Sequence, residues 1–242
     1  MRKLTALLGG LVLVAACSGE AEAPATETAP AVSAAEASES TEVVNSITED
    51  QLLIEQRADP WITRGPDGTY YFIATVPDYD RIELRAADTI LGLKDADPKV
   101  LWTRHEEGPM AVHIWAPELH WIDGAWRIFF AAGDSDDIWH IRMYALSNPS
   151  ADPMVGEWTE NGRVISQIDD FNLDATSFEH DGQRYQVWAQ RLPRDYHNSA
   201  LAMAPMTSGT TLGEPEIILS EPELDWEIQG FHVNEGAAVF KH

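Results

Sequence analysis

The sequence is poor in cysteine and in basic residues. Its 242 residues include a single cysteine, Cys17, which excludes a disulfide framework within the chain. Only 16 lysines and arginines stand against 40 aspartates and glutamates, which gives a formal net charge of −24. Proteins that bind nucleic acid carry a basic patch, so this imbalance argues against nucleic acid as a partner.

Long apolar runs and helical periodicity are also missing. The apolar run at residues 4–16 is too short to span a bilayer, which takes about 20 residues. No stretch carries a sustained apolar stripe at helical spacing. A dense Asp-x-Asp-x-Asp loop is absent as well, so we predict no cofactor and no metal site, with a structural Ca²⁺ left open because carboxylates suit that ion.

The N-terminal fifty residues have the features of a bacterial export signal followed by a spacer. Arg2 and Lys3 precede the apolar run, which ends in small residues before Cys17. The segment resembles a lipoprotein signal. We therefore predict a signal peptide at 1–16, lipid attachment at Cys17, and an extracytoplasmic protein tethered to a bacterial membrane by that lipid alone, with an ordinary secretory signal as the alternative. Residues 17–50 are rich in Ala, Glu, Thr and Pro, which predicts a disordered acidic linker.

Three Asp-Gly dipeptides recur at nearly constant spacing. Asp67, Asp123 and Asp181 are 56 and 58 residues apart, and each dipeptide precedes an aromatic-rich run. A fixed period of this kind is typical of repeat architectures. Each unit holds about four strand-like segments bounded by Gly, Pro, Asp and Asn, as in the blades of a β-propeller. We predict an all-β, incomplete β-propeller over residues 51–242, with about three blades and the first strand of a fourth.

Four carboxylates recur at a similar period and occupy roughly equivalent places in four successive repeats. Asp59, Glu118, Asp174 and Glu235 are separated by 59, 56 and 61 residues. Equivalent positions of propeller blades lie at equivalent distances from the central axis, so we expect these acids to converge near the mouth of the channel. Carboxyl groups that share a semi-enclosed site acquire different pKa values, as the acid and the base of glycoside hydrolysis require. Capping of a turn is the alternative for each acid alone, and it is the better interpretation of the Asp-Gly aspartates.

Several phrases of the sequence, taken together, resemble glycoside hydrolase family 43. They are RADPWI, DGTYYFIATVPDYDRIEL, HIWAPELHWIDGAWRIFFAAG, NLDATSFEHDG and VNEGAAVF. The resemblance implies a five-bladed propeller that inverts the anomeric configuration, and ATVPDYDRIELR with HIRMYAL looks most like the exo-acting α-L-arabinofuranosidase branch. It also implies three roles: Asp59 as general base, Glu235 as general acid, and Asp174 as the acid that orients Glu235 and keeps its pKa high.

Sugar recognition usually combines an aromatic face with polar groups that bind hydroxyls. The candidates for substrate contact are Glu118, Trp115, Trp61, Phe178, Gln190 and Arg142. Tyr79 lies in a loop that we expect near the pocket, and His113 is interpreted as a packed residue. One departure from the family pattern is Ala237, where NEGAA replaces the commoner NEGP.

The predicted activity is the release of terminal arabinofuranose from arabinan-type polysaccharide or oligosaccharides. One alternative is a surface carbohydrate-binding lipoprotein without catalysis. Another is β-xylosidase or endo-arabinanase activity on the same fold, since pocket depth separates exo from endo action. The oligomeric state is left open.

Overall fold

The computed structural model describes residues 52–193 and 199–240. These residues belong to one compact unit, Glu49–His242. The predictions for 1–16, for Cys17 and for the linker at 17–50 concern residues outside the described ranges. Within those ranges, no helix is long and apolar enough to cross a membrane.

The described strands form three antiparallel sheets that follow one another along the chain. The first sheet contains β1 (Ala58–Arg64), β2 (Tyr70–Thr75), β3 (Arg81–Ala87) and β4 (Lys99–Thr103), with a 3₁₀ helix at Leu91–Lys94. The second contains β5 (Val112–Ile122), β6 (Ala125–Gly133), β7 (Arg142–Asn148) and β8 (Thr159–Arg163). The third contains β9 (Asn172–His180), β10 (Gln183–Arg191), β11 (Ser199–Ser208) and β12 (Thr211–Leu212), and β13 (Ile217–Ser220) also pairs with β11.

The Asp-Gly dipeptides connect the first two strands of each sheet. Asp123-Gly124 and Asp181-Gly182 are two-residue hairpin turns, and their four residues have φ between 50° and 77°. A tight hairpin of this kind needs positive φ at both central residues, which glycine adopts freely and aspartate tolerates. Asp67 instead accepts hydrogen bonds from the N–H and the hydroxyl of Thr69, each at 3.0 Å. The interpretation of these three aspartates as turn residues is confirmed.

The three sheets pack on one another as consecutive blades of a propeller. Ile82 of the first blade and Leu119 of the second lie in one fully buried apolar cluster. Phe129 of the second blade and Trp188 of the third lie in another. Burying one large apolar side chain contributes about 1.5–3 kcal/mol, so these two interfaces hold neighbouring blades together. The prediction of an all-β partial propeller is confirmed.

The segment after the third blade differs from the prediction. Residues 221–240, all within the described part of the chain, contain no strand. The Asn234 N–H donates to the Ser199 carbonyl at 2.9 Å, and the Gly236 N–H donates to Asp174 Oδ2 at 3.1 Å. The segment therefore lies against the third blade through single hydrogen bonds. The prediction of a first strand of a fourth blade is wrong for these residues, because they form no ladder of β-sheet hydrogen bonds with another strand.

Candidate active site

A β-bulge interrupts the first strand of each of the three blades at the same point. Three steps along that strand oppose two steps along its neighbour, in the segments Ala58–Trp61, Trp115–Glu118 and Leu173–Thr176. The second residue of each segment, Asp59, Ala116 or Asp174, has a φ of 50°, 44° or 55°. A bulge bends its strand and re-aims a side chain, and a left-handed residue other than glycine costs about 1–3 kcal/mol. The bulges thus turn Asp59 and Asp174 out of the alternation of their strands.

Asp59 is held by a hydroxyl that is itself held by the second blade. Thr75 Oγ1 donates to Asp59 Oδ2 at 2.7 Å, and the same oxygen accepts the Ala116 N–H at 2.7 Å. Because the hydroxyl oxygen receives that N–H, its own proton is directed at the carboxylate. Thr75 is buried, and so is the hydrogen bond that it accepts from Ala116, whereas Asp59 itself is exposed.

Asp174 is a largely buried carboxyl among other carboxyls. Burial raises the pKa of Asp174 to about 7, and the negative charges of Glu235, Asp59 and Glu118 act in the same direction. The Gly236 N–H, which donates to Asp174 Oδ2, opposes them by favouring the ionised form. Near neutral pH the carboxyl of Asp174 is therefore partly protonated, whereas that of an exposed aspartate is fully ionised.

Glu235 reaches the same place from the segment that follows the third blade. The residue as a whole is exposed. Even so, partial loss of hydration around its carboxyl, and after it the charge of Asp59, raise the pKa of Glu235 above its ordinary value. A group of this kind keeps a proton at a higher pH than a solvated glutamate does.

Two adjoining clefts have Asp59 and Asp174 in their walls. The first, of about 270 Å³, is also lined by Glu235, Tyr79 and Trp115. The second, of about 230 Å³, is also lined by Trp61, Glu118 and residues 236–238. The structure therefore brings together the three predicted catalytic acids with Glu118, Trp61 and Trp115.

Glu118 lines the second cleft but does not occupy the position equivalent to the two aspartates. In the second blade that position belongs to Ala116, and Glu118 lies two residues further on. Its carboxylate contacts His120 Nε2 at 2.9 Å. The prediction of four equivalent acids is therefore wrong for Glu118, because the bulge sets the phase, and for Glu235, which lies in a segment without a strand. Counting back from the turns could have found this: Ala116 and Asp174 lie seven residues before their Asp-Gly turns, and Glu118 lies five before its turn.

The two predicted tryptophans contact neighbouring aromatic rings as well as the clefts. Trp61 donates its indole N–H to the Leu119 carbonyl at 3.0 Å and lies 5.0 Å from the His120 ring. Trp115 packs edge to face with Tyr79, with ring centroids 5.9 Å apart. These contacts hold both indoles at the walls, where an apolar sugar face could lie against them.

Three other predicted contact residues lie away from both clefts in the described part of the chain. Phe178 is further along β9 and stacks on Tyr185 at 5.4 Å. Arg142 is buried and donates to Asp169 Oδ1 at 2.8 Å. Gln190 is 1% exposed, and its amide oxygen accepts from Ser166 and Trp188 at 2.9 and 3.0 Å. All three make their contacts within or between blades.

Thr75 was not predicted from the sequence. It stands at the end of the apolar run TYYFIATV, where a threonine is an ordinary strand residue. Only the pairing of Ala58 with Thr75 shows that this hydroxyl lies opposite the bulge.

Among residues 52–193 and 199–240, no three or more His, Cys, Asp or Glu side chains are grouped in a way that could hold a metal ion.

The sequence profile described as "Glycosyl hydrolases family 43" matches residues 51–242. An extracellular exo-α-(1→5)-L-arabinofuranosidase of Streptomyces avermitilis is 45% identical over 242 residues, which are 100% of this chain and 48% of that protein. A protein of the same description from Streptomyces chartreusis is 49% identical over 189 residues, which are 78% of this chain and 58% of that protein.

The chain spans about half the length of the curated relatives it matches. Among solved structures, an α-L-arabinofuranosidase from Lactobacillus brevis superposes with a TM-score of 0.72 at 46% identity. The superposition covers 76% of this chain and 59% of that one.

Proposed function

This chain belongs to glycosyl hydrolase family 43, as its sequence phrases predicted, and from that premise we propose that it removes terminal α-L-arabinofuranosyl residues from arabinan-type chains. The observation that carries the proposal is the convergence of Asp59, Asp174 and Glu235 on one cleft of about 270 Å³. Glycoside hydrolysis needs one protonated carboxyl and one carboxylate on opposite sides of the bond that is cleaved. A cleft with several carboxyls and aromatic walls supplies both kinds of group.

Asp59 is the general base in this proposal. The Thr75 hydroxyl holds one oxygen of its carboxylate at 2.7 Å, and the other oxygen can take a proton from the attacking water. In the inverting mechanism this water attacks the anomeric carbon as the glycosidic bond breaks, so no covalent sugar–enzyme intermediate forms.

Glu235 is the general acid, and Asp174 assists it. The raised pKa of Glu235 favours the protonated form that the leaving glycosidic oxygen needs. Asp174 accepts the N–H of Gly236, the residue that follows Glu235, and so anchors the backbone that carries the acid. A protein that only binds carbohydrate needs neither the raised pKa of Asp174 nor that of Glu235. The arrangement of the acids therefore favours catalysis.

The proposed location is outside the cytoplasm, with arabinose-containing polysaccharide as the substrate. The names of the two Streptomyces relatives, which describe extracellular exo-α-(1→5)-L-arabinofuranosidases, support both points. Lipid attachment at Cys17 is proposed on the sequence pattern alone.

The test is arabinose release from α-(1→5)-linked arabinotriose by the 242-residue chain. We expect Glu235→Gln to lower turnover at least about 100-fold, because general acid catalysis contributes about 10²–10⁴-fold. Glu179→Gln, at an exposed pair with Arg184, is the matched control and should leave turnover unchanged. Equal turnover of Glu235→Gln and wild type would remove Glu235 from the mechanism. Binding of arabinotriose without any release by the wild type would favour the carbohydrate-binding alternative.

A further inference from the structure

Four aromatic side chains form a continuous row from the cleft wall to the protein surface. We call this the aromatic row: Tyr79, Trp115, His113 and Trp139. Tyr79 and Trp115 line the cleft. The His113 ring lies 4.5 Å from Trp115, and Trp139 stacks on His113 at 5.3 Å with an interplanar angle of 25°.

The side chain of Trp139 is open to solvent. It is 60% exposed, although one of its faces lies on His113. The exposed surface is therefore the opposite face and the ring edges. Its centroid is 6.4 Å from that of Trp115, which lines the cleft, so the exposed indole lies one ring beyond the cleft wall.

The loop at residues 134–141 holds Trp139 in a defined position. The backbone N–H of Trp139 donates to Asp137 Oδ1 at 3.1 Å, and the His140 ring contacts the Asp134 carboxylate at 2.8 Å. At Gly133 a β-carbon would come within 2.6 Å of the Ile138 carbonyl oxygen. The loop therefore packs so closely on the end of β6 that only glycine fits at this position. An exposed indole that is fixed in this way loses little conformational entropy when a ligand covers it.

His113 contributes an uncharged support for that indole. Burial lowers the pKa of His113, which keeps the imidazole neutral near pH 7. Its Nε2 atom is buried and has no hydrogen-bond partner among the described residues. The ring therefore offers an uncharged aromatic surface, which contacts Trp115 and stacks on Trp139.

We propose that Trp139, supported by His113, forms a second sugar subsite that binds the furanose unit behind the one that is removed. The inference rests on the proposed function, because it extends the substrate from the cleft to the adjoining surface. The ligand is a neutral pentofuranose oligosaccharide of two or more units. The apolar face of its second ring packs on the open indole face, while the terminal ring lies among the acids.

The test compares a one-sugar ligand with a longer one in the 242-residue chain. Methyl α-L-arabinofuranoside fills the cleft alone, whereas α-(1→5)-linked arabinotriose also reaches Trp139. Calorimetric titration in the Glu235→Gln background gives both dissociation constants without hydrolysis. We expect Trp139→Ala to weaken arabinotriose binding about threefold to tenfold and to leave the methyl glycoside unchanged. Trp139→Phe should retain most of the difference between the two ligands.

Trp226→Ala is the matched control, since Trp226 is 72% exposed and lies outside the row. It should change neither constant, and circular dichroism and thermal unfolding of each variant check the fold. Equal effects of Trp139→Ala on both ligands, or none on either, would overturn the subsite. So would a wild-type chain that binds arabinotriose no more tightly than the methyl glycoside. A wild-type chain that binds neither sugar would refute the proposed function and the subsite with it.

Discussion

Replacement of Asp174 by asparagine should stabilise the folded chain at neutral pH while it damages the site. The carboxyl is largely buried, and the negative charges of Glu235, Asp59 and Glu118 disfavour its ionisation. Asparagine has nearly the same shape and can still accept the Gly236 N–H, but it never ionises. The variant therefore removes the cost of a buried charge and keeps the hydrogen bond.

The magnitude follows from the pKa of Asp174, about 7 in the folded chain against an ordinary value of 3.8. At about 1.4 kcal/mol for every tenfold difference in proton affinity, the full cost of ionisation is about 4 kcal/mol. Below pH 3.8 the carboxyl is protonated in the folded and the unfolded chain, so it costs nothing. Between these two pKa values only the unfolded chain ionises, and the stability of the wild type falls as pH rises. The full cost is present above about pH 7.

Urea unfolding of the wild type and of Asp174→Asn across this pH range measures the effect. We expect the difference in unfolding free energy to be near zero at about pH 3.5 and to approach about 4 kcal/mol at about pH 8. The other carboxylates occur in both proteins, so their titration largely cancels. A difference that is constant with pH, or a wild type that gains stability relative to the variant at high pH, would refute the assignment of a raised pKa to Asp174.

Three further outcomes follow from the same contacts. Glu235→Gln should lower the pKa of Asp174 below about 7, since it removes a neighbouring negative charge; carbon-detected NMR titration measures this, and an unchanged value would contradict it. Thr75→Val should lower kcat/KM for arabinotriose about tenfold or more through loss of a hydrogen bond to Asp59, with Thr75→Ser close to wild type; equal loss in both variants would reject a positioning role for the hydroxyl. Arabinose release should fall at alkaline pH, because Glu235 must hold its proton to act as an acid, and its raised pKa extends the range in which it does; a rate that does not fall on the alkaline side would argue against it.

The strands and turns of the blades could be predicted from the sequence because their causes are local. An Asp-Gly turn between two β-rich runs specifies a hairpin through its φ angles, and the three hairpins recur at a period that sets the blades. The aromatic and β-branched runs then become β2, β6 and β10, which pack between blades. Asp59, Asp174 and Glu235 were found for a related reason, since the family phrases and the repeat identified the same residues.

The remaining site residues depend on register and side-chain direction, which the period alone does not contain. Glu118 matches the period within a few residues, yet the bulge gives the equivalent position to Ala116. Gln190 was predicted as a substrate contact because sugar recognition uses polar groups that bind hydroxyls. Its amide oxygen instead accepts hydrogen bonds from the Trp188 indole N–H in the same strand and from the Ser166 hydroxyl in the connection between two blades. A buried polar group needs hydrogen-bond partners in either case, so burial and partners, not polarity, distinguish the two roles.

The second blade shows what the repeat provides to the site when it carries no acid. Ala116 has the same left-handed conformation as Asp59 and Asp174 but no side chain that could act as acid or base. An alanine gains no local hydrogen bond from this conformation, so the fold must bear its cost of about 1–3 kcal/mol. The bulge directs the Ala116 N–H at Thr75, whose hydroxyl then donates to Asp59. One backbone geometry thus aims a carboxyl in two blades and, in the blade between them, orients the donor that holds one of those carboxyls in place.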